Sequence, residues 1–446
     1  MATSLGGPGW RSLIQGAGLS LVLRLAGAGL GLAFNLLLAR TAGAEGAGLF
    51  FLAFSISGLV ALAARLGLDA IAMRQTAAGA AKAEWGEVAA DGRAALVIVA
   101  AMALLATLAL WLVAPLLADR LFAKPALVPV LQGLALTIAP MSLTTILAEL
   151  LRGLHSLLRS QALQALITAT VALPLLAMAG AQADVEAAVW AQVAGSSVSC
   201  VLGAWWWRTE MRARCIEPSN STGDLRLSIL DRGVPILRSA MPLFWFAILS
   251  ALMGTMDVLV LGKLGSTADI GIYGVAVRLA MLTSFILMAA NSYAGPHYAA
   301  ANALGDMVVL RRLAVRSAQV TTAVAAPLLL LFVAVPSQLM GLFGQGFKAG
   351  GTVLVVLALG QFVNVATGSA GQILIMTGHE KDMRNISFVA AAVTLVALFV
   401  FAPAWGAFGG AVATVMGVVT QKILAIRVVK KRLGLTIHAF TRELSR

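Results

Sequence analysis

Three ionisable side chains interrupt apolar runs of membrane length: Arg24 in "LSLVLRLAGAGLGLAFNLLLAR" (Leu19 to Arg40), Asp257 and Arg278. A charge at the bilayer centre costs about 2.5–3.5 kcal/mol on insertion scales, so each calls for a partner or a ligand. Guanidinium is permanently charged and forks onto paired oxygens, which makes Arg24 and Arg278 candidates for holding an anion such as phosphate. The plainer reading of Arg24 is a structural ion pair, for instance with Asp257. Asp257 could in turn neutralise an arginine in the empty state or bind a coupling cation, a proton or sodium.

Uncharged polar and small residues share faces with these charges. Arg24, Gly27, Ala28, Gly31 and Asn35 fall at i, i+3, i+4, i+7 and i+11, one stripe at 3.6 residues per turn. Ser250, Gly254 and Asp257 form another, Gly274 and Arg278 a third, and Gln361, Asn364, Gly368 and Gln372 a fourth. Polar stripes avoid lipid by facing the bundle or a water-filled cavity, so these four helices predict a hydrophilic cavity between the two halves of the chain. Asn35, Gln361, Asn364 and Gln372 are the uncharged candidates for contacting substrate, although interhelical glue is the plainer account of a polar stripe. Glu149 and Arg152 suit a local pair or a snorkelling role. His297 and His379 fall in loops, as solvated histidines, and Trp205 to Trp207 suit an interfacial anchor.

Hydrolytic and metal chemistry finds no footing in the sequence. There is no phosphate-binding loop of the nucleotide-hydrolysing type, and "GHEKD" at Gly378 lacks the second histidine of a zinc helix. Cys200 lies in an apolar run and Cys215 in a polar loop, which gives no disulfide framework or metal cluster. No cofactor is expected.

The elements that must position these residues are membrane helices. The 446 residues are 60% hydrophobic and only 11% charged, far from the balance of soluble domains. Runs of about 20 apolar residues number twelve, at roughly 15–38, 47–64, 94–118, 128–150, 161–180, 185–207, 239–262, 270–292, 317–335, 353–377, 386–403 and 407–429. The first run is too long for a signal peptide and is followed by many equals. Of the 32 Lys and Arg, 24 fall on the side that holds the N-terminus, the even-numbered loops and the C-terminal tail, which predicts cytoplasmic termini. That asymmetry also accounts for the net charge of +13 without a nucleic-acid partner.

The longest polar stretch, from Arg208, divides the spans six and six. "GLFFLAFS" from Gly48 answers "GIYGVAVR" from Gly271, "PLLADRLF" from Pro115 answers "PSQLMGLF" from Pro336, and Gly153 and Arg159 answer Gly378 and Arg384, all 221 to 225 residues apart. Six spans return the chain to its starting side, so the repeats share one orientation, an arrangement used by transporters with a midplane site. The expected fold is all-α: twelve transmembrane helices in two parallel six-helix repeats around a central cavity. Its parts are 1–207, a cytoplasmic linker at 208–234, a second bundle at 235–431 and a tail at 432–446.

With that layout, "RLGLDAIAMRQ" from Arg65, "LRGLHSLLRSQAL" from Leu151 and "MDVLVLGKLGSTADIGIYGVAVRL" from Met256 resemble the bacterial polysaccharide flippases of the Wzx type, within the multidrug/oligosaccharidyl-lipid/polysaccharide exporter superfamily. The resemblance implies a non-enzymatic protein of the bacterial inner membrane. It would move an undecaprenyl-pyrophosphate-linked oligosaccharide from the inner to the outer leaflet by alternating access, for O-antigen, capsule or exopolysaccharide. In that scheme the arginines hold the pyrophosphate, the polar stripes accommodate sugars, and membrane lipid surrounds the prenyl tail. A coupling ion and partnership with a polymerase or glycosyltransferases are further implications. A multidrug or cation antiporter of the same superfamily is the alternative, disfavoured because arginines outnumber acids two to one within the spans. A lipid II flippase usually has fourteen spans, and a polymerase would need a large outer loop.

Overall fold

In the computed structural model, backbone is described for residues 10–180, 184–214 and 225–435, and side chains for these residues except 10–21, 225–239, 242, 246, 289, 292, 293 and 296. All secondary structure among the described residues is helical.

The first two spans lie in α1, Trp10–Ala64, which kinks at Gly43 (φ 67°); the last two lie in α15, Glu380–Leu433, which kinks at Gly406 (φ 51°). Both dihedrals are in the left-handed region, where a side chain would clash with its own backbone and glycine does not. A helix of some 54 residues would be about 80 Å long if straight, more than twice a bilayer core, so each kink lets one helix supply two crossings. Ten described segments are long and apolar enough to cross a membrane, and these two count double, which gives the twelve crossings of the sequence reading.

After α1, the short α2 (Leu68–Ala81) precedes α3 (Trp85–Leu116). Span 4 is split into α4 (Leu127–Ala135) and α5 (Ile138–Gly153). Span 5 is α6 (Leu157–Gln161) and α7 (Ile167–Met178), joined by a π-turn at Ala162–Leu166. Helices α8 (Val185–Arg214) and α9 (Leu225–Leu264) run into the stretch expected to be a linker, so its described parts are helix; Cys215 to Asp224 lie outside the described residues. Next come α10 (Thr267–Ala303), α11 (Met307–Ala334), α12 (Pro336–Gly341), α13 (Gly351–Ala366) and α14 (Ala370–Met376). The tail beyond residue 435 lies outside the described residues.

Span 10 is not the continuous helix its hydropathy predicts. It breaks between α13 and α14, where Gly368 adopts φ 68°. His297 is likewise not a loop residue, because α10 continues to Ala303.

The polarity of the surface fits lipid rather than water. On α3, Leu104, Leu105, Leu108 and Leu112 are each more than half exposed while Val99, Ala103 and Ala114 are fully buried, so the helix turns its larger apolar groups outward. Two compact units result, each considered by itself below: Met1–Ala42 with Leu52–Thr255, and Gly43–Phe51 with Met256–Arg446. In the first, Leu68 and Ile71 of α2, Ile146, Leu147 and Leu151 of α5 and Trp207 of α8 make a core. In the second, Tyr298 of α10, Leu310 of α11, Ile373 of α14 and Val429 of α15 do the same.

Candidate substrate and ion sites

In the first unit Arg24 is exposed, and its Nε donates to Gln161 Oε1 at 3.1 Å. Gln161 is buried at the end of α6, where the π-turn begins. One turn beyond Arg24, a Cβ at Gly27 would lie 2.3 Å from the carbonyl oxygen of Ala165, so only glycine allows α1 to come this close to the π-turn. That crossing fixes Arg24 beside Gln161. Gly31 meets nothing within 4 Å, and Asn35 Nδ2 donates 2.6 Å to the Gly31 carbonyl of its own helix. The stripe on span 1 therefore divides: Gly27 serves packing, while Gly31 and Asn35 border open space.

In the second unit Arg278 of α10 is half-buried. Its Nη1 donates to the Gly274 carbonyl at 2.8 Å, and its guanidinium carbon stands 3.8 Å from the centre of the Phe51 ring. A Cβ at Gly274 would fall 2.4 Å from Phe51 Cδ2, so the stripe pairing Gly274 with Arg278 is what admits the ring. Cation–π contact holds the guanidinium while leaving its charge in place. Among the described residues neither Arg24 nor Arg278 has a carboxylate partner. The contacts found for Asp257 are its own unit's: Tyr273 OH donates to Oδ2, and the Val258 backbone N–H donates to Oδ1 at 2.9 Å. Tyr273 OH also lies 2.8 Å from Thr414 Oγ1 on α15. These three oxygen-bearing side chains, drawn from three helices, are oxygen ligands of the kind that suits a hard cation or a proton.

The amides of span 10 gather at a cavity of about 420 Å³ within the second unit, bordered by Ser284 and Asn291 of α10, Asn364 of α13 and Gln372 of α14, with Leu287 and Met288. Gln361 stands behind it. Its Oε1 accepts from Ser284 Oγ at 2.6 Å and from Asn364 Nδ2 at 3.1 Å, so it orients two lining residues. Asn291 is likewise engaged by the Ser369 hydroxyl at the helix break. Because α13 and α14 are separate helices, Gln372 does not continue a stripe begun at Gln361; it reaches the same cavity from the far side of the break.

Sequence reasoning missed Gln161, Phe51, Tyr273, Thr414, Ser284 and Asn291. Gln161 and Tyr273 stand inside the quoted "LLRSQAL" and "GIYGVAVRL", so a search for hydroxyl and amide groups in those motifs would have found them. The other four gain meaning only from contacts between distant segments. Glu149 and Arg152 do pair locally, at 3.1 Å, with Gln164 bonded to Glu149 at 3.1 Å.

This is the architecture of the multidrug/oligosaccharidyl-lipid/polysaccharide exporter superfamily. The structure is similar to a lipid II flippase, MurJ, in an inward closed conformation, with TM-score 0.72 and 12% identity over 92% of this chain and 87% of that one. It is also similar to an inward-facing multidrug resistance transporter of the MATE family (TM-score 0.68, 16% identity, 94% and 98% covered). A third likeness is to a Pyrococcus furiosus transporter of the superfamily described as having a binding pocket of reverse polarity (TM-score 0.63, 16% identity, 97% and 99% covered). At these identities the likeness concerns the fold. The chain belongs to the polysaccharide biosynthesis protein family, whose profile matches residues 13–295. Among curated proteins it is 25% identical over 179 residues to the probable flippase AglR of Haloferax volcanii, a match spanning 40% of this chain and 38% of that protein's length.

Proposed function

We propose that this protein is a non-enzymatic flippase that moves an undecaprenyl-pyrophosphate-linked oligosaccharide from the inner to the outer leaflet of the bacterial inner membrane, with both termini cytoplasmic, for O-antigen, capsule or exopolysaccharide synthesis. The observation that carries the reading is that Arg24 and Arg278, both in membrane helices, have neighbours that position them but no described carboxylate to neutralise them. A doubly charged pyrophosphate compensates guanidinium groups in the way that a drug cation cannot. The amide-lined cavity of about 420 Å³ is of ligand-site size and offers the mixed donors and acceptors that sugar hydroxyls use. Asn35, Asn364 and Gln372 contact the glycan, with Gln361 holding Asn364 in place. Transport proceeds by alternating access. Asp257, with Tyr273 and Thr414, takes the coupling proton or sodium ion. Family membership and the flippase names of two similar proteins support this assignment. The glycosyltransferases and polymerase of the same pathway are its functional partners.

One observation favours a second reading, a multidrug or cation antiporter. Asp257 is a membrane carboxylate with no arginine among its described contacts, and several similar structures are multidrug transporters.

In a strain lacking the gene, lipid-linked oligosaccharide should accumulate on the cytoplasmic leaflet. Wild-type protein should clear it, and Arg24→Ala at matched abundance should not. Arg24→Lys, which keeps the charge without the fork, should clear it in part. Failure to accumulate, together with drug extrusion by the wild type, would favour the antiporter. Full clearance by Arg24→Ala would remove the anion role from α1.

A further inference from the structure

Helices α10 and α11 belong to one unit and pack against each other, but part of their seam is open. Ala294 and His297 of α10 and Arg316, Ser317 and Val320 of α11 border a groove of about 290 Å³. The two basic residues lie near one end of the helix pair. His297 is six residues before the end of α10 and Arg316 nine after the start of α11, distances of about 9 and 14 Å along the axes. Arg311 and Arg312 stand at the same end.

The outer face of α11 is unusual in its order. Val309, Arg312, Arg316, Val320 and Val324 recur every three or four residues, and all five are exposed. In a membrane helix that exposed face meets lipid. Its apolar half, Val320 and Val324, runs toward the bilayer interior, and its basic half sits at the depth of headgroups. A guanidinium at an apolar seam of this kind is compensated most simply by phosphate, and a groove that opens sideways to lipid admits a molecule that brings an acyl chain with it.

We infer that this groove holds an anionic phospholipid, with the phosphate against Arg316 and His297 and one acyl chain along Val320 and Val324. The charge distribution of the loops assigns it to the cytoplasmic leaflet. Neither Arg24 nor the amide-lined cavity takes part, so the site stands whatever the transported substrate is.

Native mass spectrometry of the purified full-length protein tests this with phosphatidylglycerol against phosphatidylcholine of the same chains. Phosphatidylglycerol should bind and phosphatidylcholine should not. Arg316→Ala should weaken binding by about fivefold, the contribution of one basic residue near an anionic surface. Arg316→Lys should keep most of it. Val320→Trp, which fills the groove without altering charge, should abolish it, and decides alone if Arg316→Ala does not accumulate. Arg384→Ala, which removes an exposed basic residue from α15, should change nothing. Equal losses on removing Arg384 and Arg316, or binding that survives Val320→Trp, would show diffuse attraction and overturn the proposal. So would a co-purified polyprenyl phosphate displaced by the same substitutions.

Discussion

Arg24 and Arg278 are held by different means that serve one end: an amide acceptor in the first case, an aromatic face and a helix carbonyl in the second. Each contact orients the side chain and leaves its full charge available. Arg65 contrasts with both, since its Nε lies 3.0 Å from Asp69 Oδ2 and its Nη1 lies 3.4 Å from Thr145. Asp69 sits on α2, outside the membrane-length helices, and its second oxygen, Oδ1, is buried without a hydrogen-bond partner. Burial therefore raises the Asp69 carboxyl above the usual range, against the lowering pull of Arg65. A carboxyl with a higher pKa folded than unfolded favours the fold fully below its unfolded value of about 3.9, and that contribution is lost as pH rises through the folded value. Asp69→Asn cannot lose it. The melting temperature of wild type minus that of Asp69→Asn should thus fall between about pH 4 and pH 7 in detergent thermal scans. A difference that grows with pH would mean that the Arg65 pair outweighs burial. Arg24, Asp257 and Arg278 announced themselves in the sequence because charge in an apolar run is rare. Phe51 and Thr414 did not, because an aromatic or a threonine in a membrane helix is ordinary until its neighbour is known.

Single glycines decide how closely the helices meet. Gly27 and Gly31 lie on the same stripe of α1, one facing the Ala165 carbonyl and the other open space. Gly27→Ala should destabilise the first unit by about 1–3 kcal/mol, the usual cost of overpacking. Gly31→Ala should be neutral or stabilise by up to about 1 kcal/mol, since alanine is the better helix former. Thermal unfolding in one detergent checks the pair, and similar losses would refute the close crossing. At this scale the repeat was legible, and the structure sharpens it: Trp85 and Met307, Leu127 and Gly351, and Leu157 and Glu380 begin matching helices 222 to 224 residues apart. Gly48 and Gly271, matched in sequence at 223 residues, are in contact, each needing its missing side chain to admit the other's helix. The break at Gly368 was not legible. Hydropathy averages over a window, and one left-handed residue in an apolar run leaves the average unchanged.

At the scale of the whole molecule, hydropathy and charge fix the crossings but not the packing units. Gly43–Phe51 begins span 2 in the first sequence repeat yet belongs with the second unit, and α9 is shared between both, because packing follows contact faces rather than chain order. Orientation rests on the basic loops alone, and it has a direct test. With Cys200 and Cys215 replaced by serine, single cysteines would be placed at Lys82, Ala123, Lys263 and Leu304, all exposed in the structure. In intact cells with a permeabilised outer membrane, a membrane-impermeant maleimide should label Ala123→Cys and Lys263→Cys. Lys82→Cys and Leu304→Cys should react only after lysis. The opposite pattern would invert more than a diagram. It would put the groove at Arg316 in the outer leaflet and the basic loops on the side where no lipid-linked oligosaccharide is made, so that the same arginines could serve a flippase only if it ran inward.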